Sequence, residues 1–356
     1  MNTLFASTLH SWYVENHREL PWRNTRDPYR IWISEIILQQ TRVAQGYDYF
    51  LRFMERFPDV VSLSQASEDE VLLLWQGLGY YSRARNLHKA SKVIAANGGF
   101  LADYDFIRQL PGVGDYTASA IASFAFNLPH AVLDGNVFRV LSRYFGVDEA
   151  IDSTAGKKLF RAMADDMLDT SRPALYNQAI MDFGALVCSP HPHCQTCPLA
   201  ESCVAFRDSC VDELPVKIHR TKVRTRHLIY ILFLCQGKVL LHRRGEGDIW
   251  QGLYEPFLCE VKPDEAASAE ARLQSLFPSI HLVEQGRRHQ LSHQLLISDF
   301  YQMDVEDKAQ LEEILSQSLL DSYLGKGYEW VPESILDERA TPRLLLEFYK
   351  KLNLSD

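Results

Sequence analysis

Leu110-Pro111-Gly112-Val113-Gly114-Asp115-Tyr116-Thr117-Ala118 is the stretch that decides how the first part of this 356-residue chain folds. It lies between two segments whose apolar residues recur at three- and four-residue spacing, which is the pattern of helices. Its two glycines permit a tight turn, and the turn leads into a helix N-terminus, where free N–H groups bind anions. Two interpretations stay open: an ordinary helix–helix turn, and a hairpin that holds a DNA phosphate without reading base sequence.

Helical periodicity extends outward from this turn to about residue 210, and alternating strand patterns are absent there. Helical stretches are predicted at 29–57, 68–97 and 117–126, with breaks at Asp27-Pro28, Phe57-Pro58, Asn97-Gly98-Gly99 and Pro111-Gly112. The first domain, residues 1–212, is therefore predicted to be all-α.

Four of the seven cysteines fall within sixteen residues, about 70 residues after the turn, in the pattern C-x5-C-x2-C-x5-C. They are Cys188, Cys194, Cys197 and Cys203. Structural zinc usually uses two separated C-x2-C pairs, so this single compact loop favours a [4Fe–4S] cluster, with zinc or free thiols as alternatives. The cluster would be a structural clip or a redox centre. The scattered Cys210, Cys235 and Cys259 are predicted to be small core residues.

Composition indicates a globular, two-domain protein. The chain has 37 Lys+Arg against 46 Asp+Glu, a net charge of −9, and 46% hydrophobic residues. That charge argues against indiscriminate coating of nucleic acid but leaves room for a local basic site. The longest apolar run, 228–235, is too short to span a bilayer, and the N-terminus lacks the features of a secretion signal. We expect a cytoplasmic monomer.

A short basic segment separates the predicted domains. Five cations and no acid occur within ten residues of it, namely Lys217, Arg220, Lys222, Arg224 and Arg226. Residues 213–226 are predicted to be an interdomain linker, either solvated or lying along DNA phosphates.

The pattern changes after this segment. Residues 227–235, Gln236-Gly237 and 238–243 predict a β-hairpin, 265–277 and 311–319 predict helices, and 295–305 predicts a strand. The second domain, residues 227–356, is therefore predicted to be α+β with a small mixed or antiparallel sheet.

Together these features resemble the helix-hairpin-helix DNA glycosylases with an iron–sulfur loop, the endonuclease III superfamily, and within it the MutY family of adenine DNA glycosylases. The motifs that carry the resemblance are residues 20–23, 27–41, 75–86, 133–137 and 177–179. The resemblance covers nearly the whole chain and is more specific up to residue 203 than after 227. It implies a [4Fe–4S] enzyme that acts on duplex DNA and hydrolyses the N-glycosidic bond of adenine paired with 8-oxoguanine or guanine. Such an enzyme initiates base excision repair and would act at the nucleoid.

The resemblance assigns Glu35 the role of general acid, which protonates the adenine ring and later activates water. Without it, a glutamate on a solvated helix edge is the simpler interpretation. The helical neighbours of Glu35 are mostly apolar, which would raise its pKa; they are Ile31, Trp32, Leu38 and Gln39.

Asp134 alone is best interpreted as a helix N-cap. The resemblance places it beside the deoxyribose, where it would stabilise an oxocarbenium-like transition state electrostatically or form a covalent intermediate. Tyr116 and Asn136 are expected to be polar groups that support Asp134. In bifunctional relatives the position of Tyr116 carries a lysine that forms a Schiff base and nicks the strand. A phenol cannot do so, which predicts a monofunctional glycosylase.

Further residues are implied to contact DNA once adenine leaves the duplex. Gln40 and Tyr80 would probe the gap opposite. Trp22, Arg23, Leu38 and Gln178 would line the adenine pocket, with plain core packing as the alternative for the aromatic residues. Gly112 and Gly114 would hold a phosphate. Arg83 and Arg85 would either touch phosphate or lie on a solvated helix face.

Residues 249–256 look like the core of a Nudix fold, similar to the MutT-like domain of this family. The acidic helix with which Nudix hydrolases hold Mg²⁺ is missing, and only Asp264, Glu265 and Glu270 are scattered there. A recognition module is therefore predicted. Residues 288–293 resemble the loop that senses 8-oxoguanine, with Ser292 and His293 as hydrogen-bonding groups; an ordinary start of a strand is the alternative.

Two departures from the family pattern weaken parts of this prediction. Leu291 stands where an aromatic residue is usual, which weakens a stacking role. The first cysteine gap has five residues where six are usual, and the loop has no Lys or Arg, so its hold on DNA is expected to be weak. His191 and His193 would add charge only at lower pH. The rival functions are another glycosylase of the superfamily, a non-catalytic DNA-binding or redox protein, and an active Nudix hydrolase.

Overall fold

The computed structural model describes residues 2–219, 222–262, 265–317 and 327–354. The chain forms two compact units, one of residues 1–65 and 86–220 and the other of residues 66–85 and 221–356. The predicted boundaries at 212 and 227 stay a prediction. Within the described ranges, no helix combines the length and the apolar character needed to cross a membrane.

The first unit is helical, which confirms the predicted fold class. Its helices are α1 (Asn2–Asn16), α2 (Pro28–Leu38), α3 (Val43–Arg56), α4 (Val60–Gln65), α7 (Tyr104–Gln109), α8 (Asp115–Phe126), α9 (Gly135–Phe145), α10 (Thr154–Met167), α11 (Pro173–Leu186) and α12 (Val204–Arg207). Helix α5 (Glu68–Trp75) and the first residues of α6 (Ser82–Ala96) belong to the second unit. Helix α2 packs against α3 and α8, while α11 packs against α1, α8 and α9.

Two of the predicted helical stretches are each interrupted. The stretch 29–57 is divided into α2 and α3, and 68–97 into α5 and α6. In the intervening turns Gln40 has a φ of 55° and Tyr80 a φ of 48°, left-handed conformations that a right-handed helix does not contain. Apolar periodicity continued across both turns, so it did not reveal them.

The turn at residues 110–114 joins α7 to α8, with Leu110 as the C-cap of the first and Gly114 as the N-cap of the second. Gly112 has a φ of 77°, and a Cβ at this position would lie 2.7 Å from the Cβ of Asn86. Backbone conformation and space both demand glycine here. At Gly114 a Cβ would meet nothing within 4 Å, so the backbone is open to approach.

The second unit contains a mixed sheet, as predicted. Its strands are β1 (Arg224–Cys235), β2 (Lys238–Arg243), β3 (Tyr254–Glu255), β4 (Phe257–Val261), β5 (His281–Gln290), β6 (Gln294–Asp304) and β7 (Tyr328–Pro332). The order is β3-β2-β1-β6-β5, with β4 paired to β1 and β7 to β2. Strands β1 and β6 are parallel and the other pairs are antiparallel. The predicted β1–β2 hairpin is confirmed, and Gln236 (φ 51°) and Gly237 (φ 70°) form its turn.

Apolar residues cover both faces of this sheet. Helix α15 (Arg343–Lys351) packs Leu344, Leu345 and Phe348 on one face. Helices α13 (Ala266–Leu276) and α14 (Lys308–Gln317) pack on the other through Leu273, Leu311 and Leu315. The predicted helices at 265–277 and 311–319 correspond to α13 and α14, although 318–319 lie outside the described residues.

Arg226 corrects the prediction for the basic segment. Strand β1 begins at Arg224, inside the predicted linker, and the Arg226 side chain is only 6% exposed. Its guanidinium donates to Asp248 at 2.7 Å and to Glu260 at 2.8 Å. Because these carboxylates already neutralise it, Arg226 is neither part of a solvated linker nor available to a phosphate. Lys217, Lys222 and Arg224 are exposed, and Arg220 lies outside the described residues.

Replacement of Gly146 tests how α9 joins the cysteine loop. Gly146 ends α9 with a φ of 66°, and a Cβ there would lie 2.4 Å from Cγ1 of Val204, directly after Cys203. We expect Gly146→Ala to lower the free energy of unfolding by about 2–4 kcal/mol, through the left-handed conformation and the steric overlap. Urea unfolding followed by circular dichroism measures it. The matched control is Gly98→Ala. Gly98 has a φ of 78° but open space around an added Cβ, so this change should lower the free energy of unfolding by about 1 kcal/mol. Equal losses would contradict the steric argument.

Candidate active site

Glu35 lies on α2 with its side chain buried, 7% exposed. Burial raises the pKa of its carboxyl because the charged form is poorly solvated. A hydrogen bond from Tyr116 and the charge of Arg23 lower the pKa, while the charge of Asp134 raises it. Burial dominates, so Glu35 holds its proton more readily than an ordinary glutamate does. The predicted direction of the pKa shift is confirmed, and the solvated helix edge is excluded.

Tyr116 is the second residue of α8, so the hairpin before it fixes its position. Its hydroxyl donates to Oε2 of Glu35 at 2.9 Å and lies 3.7 Å from Sδ of Met181. Burial, and then the nearby charges of Glu35 and Asp134, raise the pKa of the phenol well above its usual value. The sequence predicted Tyr116 as a support for Asp134; the structure instead gives its hydrogen bond to Glu35.

Asp134 caps the N-terminus of α9, which confirms the simpler interpretation made from sequence. Its Oδ1 accepts from the backbone N–H groups of Asn136 (2.9 Å) and Val137 (2.8 Å). Its Oδ2 accepts from Nδ2 of Asn136 at 3.0 Å, and Oδ1 of Asn136 accepts from Arg139 at 2.8 Å. Burial raises the pKa of Asp134, and these hydrogen bonds oppose the shift. The result is a carboxyl in a fixed orientation, within electrostatic reach of Glu35.

The residues predicted to line the base pocket differ in their surroundings. Trp22 is 5% exposed and contacts Phe50 with ring centroids 5.0 Å apart, which is core packing. Leu38 and Gln178 are partly exposed. The guanidinium of Arg23 donates to Asp182 at 3.0 Å.

Arg83 and Arg85 are engaged within the second unit, contrary to the solvated helix face considered for them. Arg83 is 8% exposed and donates to the carbonyl of Gly79 at 3.1 Å. Burial lowers the pKa of Arg83 to about 10. Arg85 donates to the carbonyl and the Oε1 of Gln251 at 2.7 and 2.9 Å. Neither side chain lies on a solvated helix face, and the structure gives them protein acceptors.

The predicted lesion-sensing residues lie at the turn between β5 and β6. Ser292 and His293 form this turn, and the hydroxyl of Ser292 contacts that of Tyr80, also in the second unit. Around them is a cavity of about 380 Å³. Its lining includes Leu78, Gly79, Tyr80, Trp250, Leu291, Ser292 and His293.

The four loop cysteines are free and partly exposed. Burial raises the pKa of the Cys197 thiol to about 11; a backbone hydrogen bond from Leu199 lowers it, and the nearby thiols of Cys188, Cys203 and Cys194 raise it. Four soft sulfur ligands therefore lie close together, a donor set that fits an iron–sulfur cluster. In the described parts of the chain, no three His, Cys, Asp or Glu side chains converge where a single metal ion would bind; a [4Fe–4S] cluster differs from such a site because each thiolate binds a different iron.

Arg143 is a site residue that the sequence did not indicate. It lies on α9 and is 4% exposed. Its Nη1 donates to the carbonyl of Ser189 at 2.7 Å and approaches Sγ of Cys188 at 3.7 Å, while Nη2 donates to the carbonyl of Pro190 at 3.1 Å. The loop lacks its own Lys or Arg, yet it receives a cation from this helix. An arginine at an inward-facing position of an amphipathic helix was the only signal.

Glu265 and Glu270, two of the scattered acids of the second unit, have separate partners in the structure. Glu270 accepts a hydrogen bond from Tyr301 at 2.8 Å, and Glu265 accepts from Lys262 at 3.3 Å. Asp264 lies outside the described residues.

Two domain families match the chain. Residues 33–164 match the HhH-GPD superfamily of base excision DNA repair proteins, and residues 229–351 match the NUDIX domain. The first match contains Glu35, Tyr116 and Asp134.

Individual relatives give the same indication. An adenine DNA glycosylase of Buchnera aphidicola subsp. Baizongia pistaciae is 35% identical over 299 residues, covering 82% of this chain and 84% of that protein. The adenine DNA glycosylase of Mus musculus is 44% identical over 217 residues, and the match covers 58% of this chain and 42% of the mouse protein. Among solved structures, that of a thermostable thymine-DNA glycosylase matches with a TM-score of 0.54 and 28% identity, over 58% of this chain and 97% of that one.

The hydrogen bond between Tyr116 and Glu35 leads to a testable prediction about the protonation of the Glu35 carboxyl. Tyr116→Phe removes an interaction that lowers the pKa of Glu35, so we expect that pKa to rise and the carboxyl to keep its proton to a higher pH. Carbon-13 NMR of the labelled Glu35 carboxyl during a pH titration measures the change. Tyr176→Phe is the control, because the buried Tyr176 hydroxyl has no partner among the described residues. A titration that stays in place or moves to lower pH would refute the assignment.

Proposed function

Because the chain belongs to the adenine DNA glycosylases of the HhH-GPD superfamily, we propose that it removes adenine paired with 8-oxoguanine or guanine in duplex DNA. We propose further that it does so without cutting the strand. The observation that carries the proposal is the buried Glu35 carboxyl, hydrogen-bonded to Tyr116 and electrostatically coupled to the fixed Asp134.

The proposed reaction begins when adenine has left the base stack. Glu35, protonated because burial raises its pKa, gives its proton to a ring nitrogen of adenine. The bond between the sugar C1′ and the base then breaks, and the base leaves with the electron pair. The carboxylate of Asp134 stabilises the positive charge on the sugar. Water adds to C1′ and returns a proton to Glu35.

The absence of strand cleavage is proposed from the chemistry of Tyr116. Schiff-base formation with the opened sugar requires an amine nucleophile. The phenol of Tyr116 is held by Glu35, and its pKa lies well above the usual value, so it stays protonated. A protonated phenol beside Glu35 is compatible with base removal. Because it is not an amine, it cannot form a covalent Schiff base with the sugar.

Recognition of the base opposite adenine is proposed for the cavity in the second unit. The cavity has the size of small-molecule sites and combines an aromatic wall, Trp250 and Tyr80, with the polar groups Ser292 and His293. Trp250 has a φ of 62°, an uncommon conformation of the kind that is found at functional sites. Glu270 is engaged by Tyr301, which supports a recognition module over a pyrophosphatase.

We propose that Cys188, Cys194, Cys197 and Cys203 hold a [4Fe–4S] cluster. When bound, the cluster would supply four Fe–S bonds that clip the loop, and base removal would not pass through it. Arg143 supports this proposal because its guanidinium lies beside the Cys188 sulfur and holds the loop carbonyls. Gly112 and Gly114 are proposed to let a DNA phosphate approach the start of α8.

A panel of duplexes tests the function. We expect adenine release from A:8-oxoguanine to be fastest, slower release from A:G, and none above background from A:T. Strand breaks should appear only after alkali, and borohydride should trap no covalent complex. Preferred release of thymine or uracil would overturn the base assignment, and strong trapping would overturn the monofunctional mechanism.

Substitution of the two carboxyls tests their roles. Glu35→Gln cannot donate the carboxyl proton, and single-turnover adenine release should fall by about 10²–10⁴-fold. Asp134→Asn keeps an N-cap but loses the charge, and release should fall by about 10²-fold or more. Asp103→Asn is the control, since Asp103 caps α7 by accepting from the Phe106 N–H at 2.7 Å. Its rate should stay within about 2-fold of wild type. Wild-type rates in either active-site variant would refute the mechanism.

A further inference from the structure

A chain of hydrogen bonds in the first unit leads from a buried carboxylate to Gln178. Asp182 on α11 is fully buried and accepts from Arg23 at 3.0 Å and from Nε of Arg18 at 3.1 Å. Arg23 also donates to the hydroxyl of Tyr13 at 3.4 Å, and Tyr13 donates to Oε1 of Gln178 at 2.9 Å. The chain passes close to Glu35, because Arg23 acts on the pKa of that carboxyl.

The direction of each bond follows from the groups involved. A guanidinium has only donors, so the Tyr13 oxygen must accept from Arg23. The single hydroxyl hydrogen of Tyr13 then points to Gln178, where only the amide oxygen is able to accept it. The amide therefore has one orientation, with Oε1 toward Tyr13 and Nε2 at the opposite end. Gln178 is partly exposed, and Nε2 has no acceptor among the residues that the structure describes.

Tyr13 itself is well fixed. It is 7% exposed on α1, and burial raises the pKa of its phenol, so the hydroxyl keeps its hydrogen. Asp182 holds Arg23 in place through a charge-assisted bond, which is stronger than a neutral one. The orientation of the Gln178 amide is thus determined by a carboxylate three groups away.

We propose that Tyr13 is a positioning residue for base specificity, which turns the Nε2 of Gln178 toward the base. This rests on the proposed function, in which Gln178 lines the adenine pocket. An NH₂ group facing the base selects a ring nitrogen with a lone pair, whereas an amide free to rotate also accepts from donors on the wrong base. Discrimination arises because a buried polar group left unpaired costs free energy.

Adenine analogues test the proposal in full-length Glu35→Gln protein, so that the base stays in place. Binding is measured by fluorescence anisotropy for duplexes that carry adenine, 1-deazaadenine, 3-deazaadenine or 7-deazaadenine opposite 8-oxoguanine. Each analogue replaces one lone pair by a C–H group. With Tyr13 present, we expect one analogue to bind about 5–10-fold more weakly than adenine. The ratio of this analogue's dissociation constant to that of adenine is the measured quantity, and Tyr13→Phe should reduce it to about 2-fold or less.

Two further variants fix the interpretation. Gln178→Glu still accepts from Tyr13 but lacks the NH₂ group, so the ratio should fall to about one or below. Tyr176→Phe removes a hydroxyl without a partner and should leave the ratio intact. A purely structural loosening would weaken all four duplexes by one factor and leave the ratio unchanged.

The outcomes separate the inference from the proposed function. If the ratio falls in Gln178→Glu but not in Tyr13→Phe, Gln178 contacts the base and the role of Tyr13 is overturned. If no ratio changes in Gln178→Glu, Gln178 does not face the base, and both the inference and this part of the proposed pocket are overturned.

Discussion

The desolvation of one carboxyl group is the constraint on which the first unit depends. A glutamate that is 7% exposed has exchanged its water for protein groups, and each of these groups comes from a different part of the chain. Tyr116 is supplied by the start of α8, and Arg23 by the segment before α2. Arg23 is in turn neutralised by Asp182 from the middle of α11. The glycine turn at 110–114 therefore serves the buried acid as well as any bound phosphate, since its geometry delivers Tyr116.

Sequence reasoning succeeded where the determining signal is local. The glycine hairpin, the helix cap at Asp134 and the β1–β2 turn are each specified by residues within a few positions of one another. It failed at the turn after α2, because Gln40 adopts a left-handed backbone that no Gly or Pro announces. The partner of Tyr116 was also missed, since the packing of α2 against α8 determines it.

Arginines were the residues least accessible to prediction. Solvent or phosphate was expected for Arg226, from a run of cations, and for Arg83, yet both are buried against acceptors from the protein itself. Charge along a sequence does not reveal whether carboxylates or carbonyls far along the chain will converge on it. Arg143 shows the converse, because an arginine in an ordinary helix donates to the carbonyls of the cysteine loop.

Arg143 also changes how the unusual length of that loop is understood. The carbonyls of Ser189 and Pro190 are held from outside, by a side chain rooted in α9, and not by residues of the loop. Because Arg143 holds the loop from α9, the loop can be one residue shorter between its first two cysteines and still stay attached. The residues between these cysteines are then not required to hold the loop in place, and a stretch of prolines and histidines is compatible with its attachment. The helix that begins at the Asp134 cap thus holds the conformation of the loop independently of the loop's own residues.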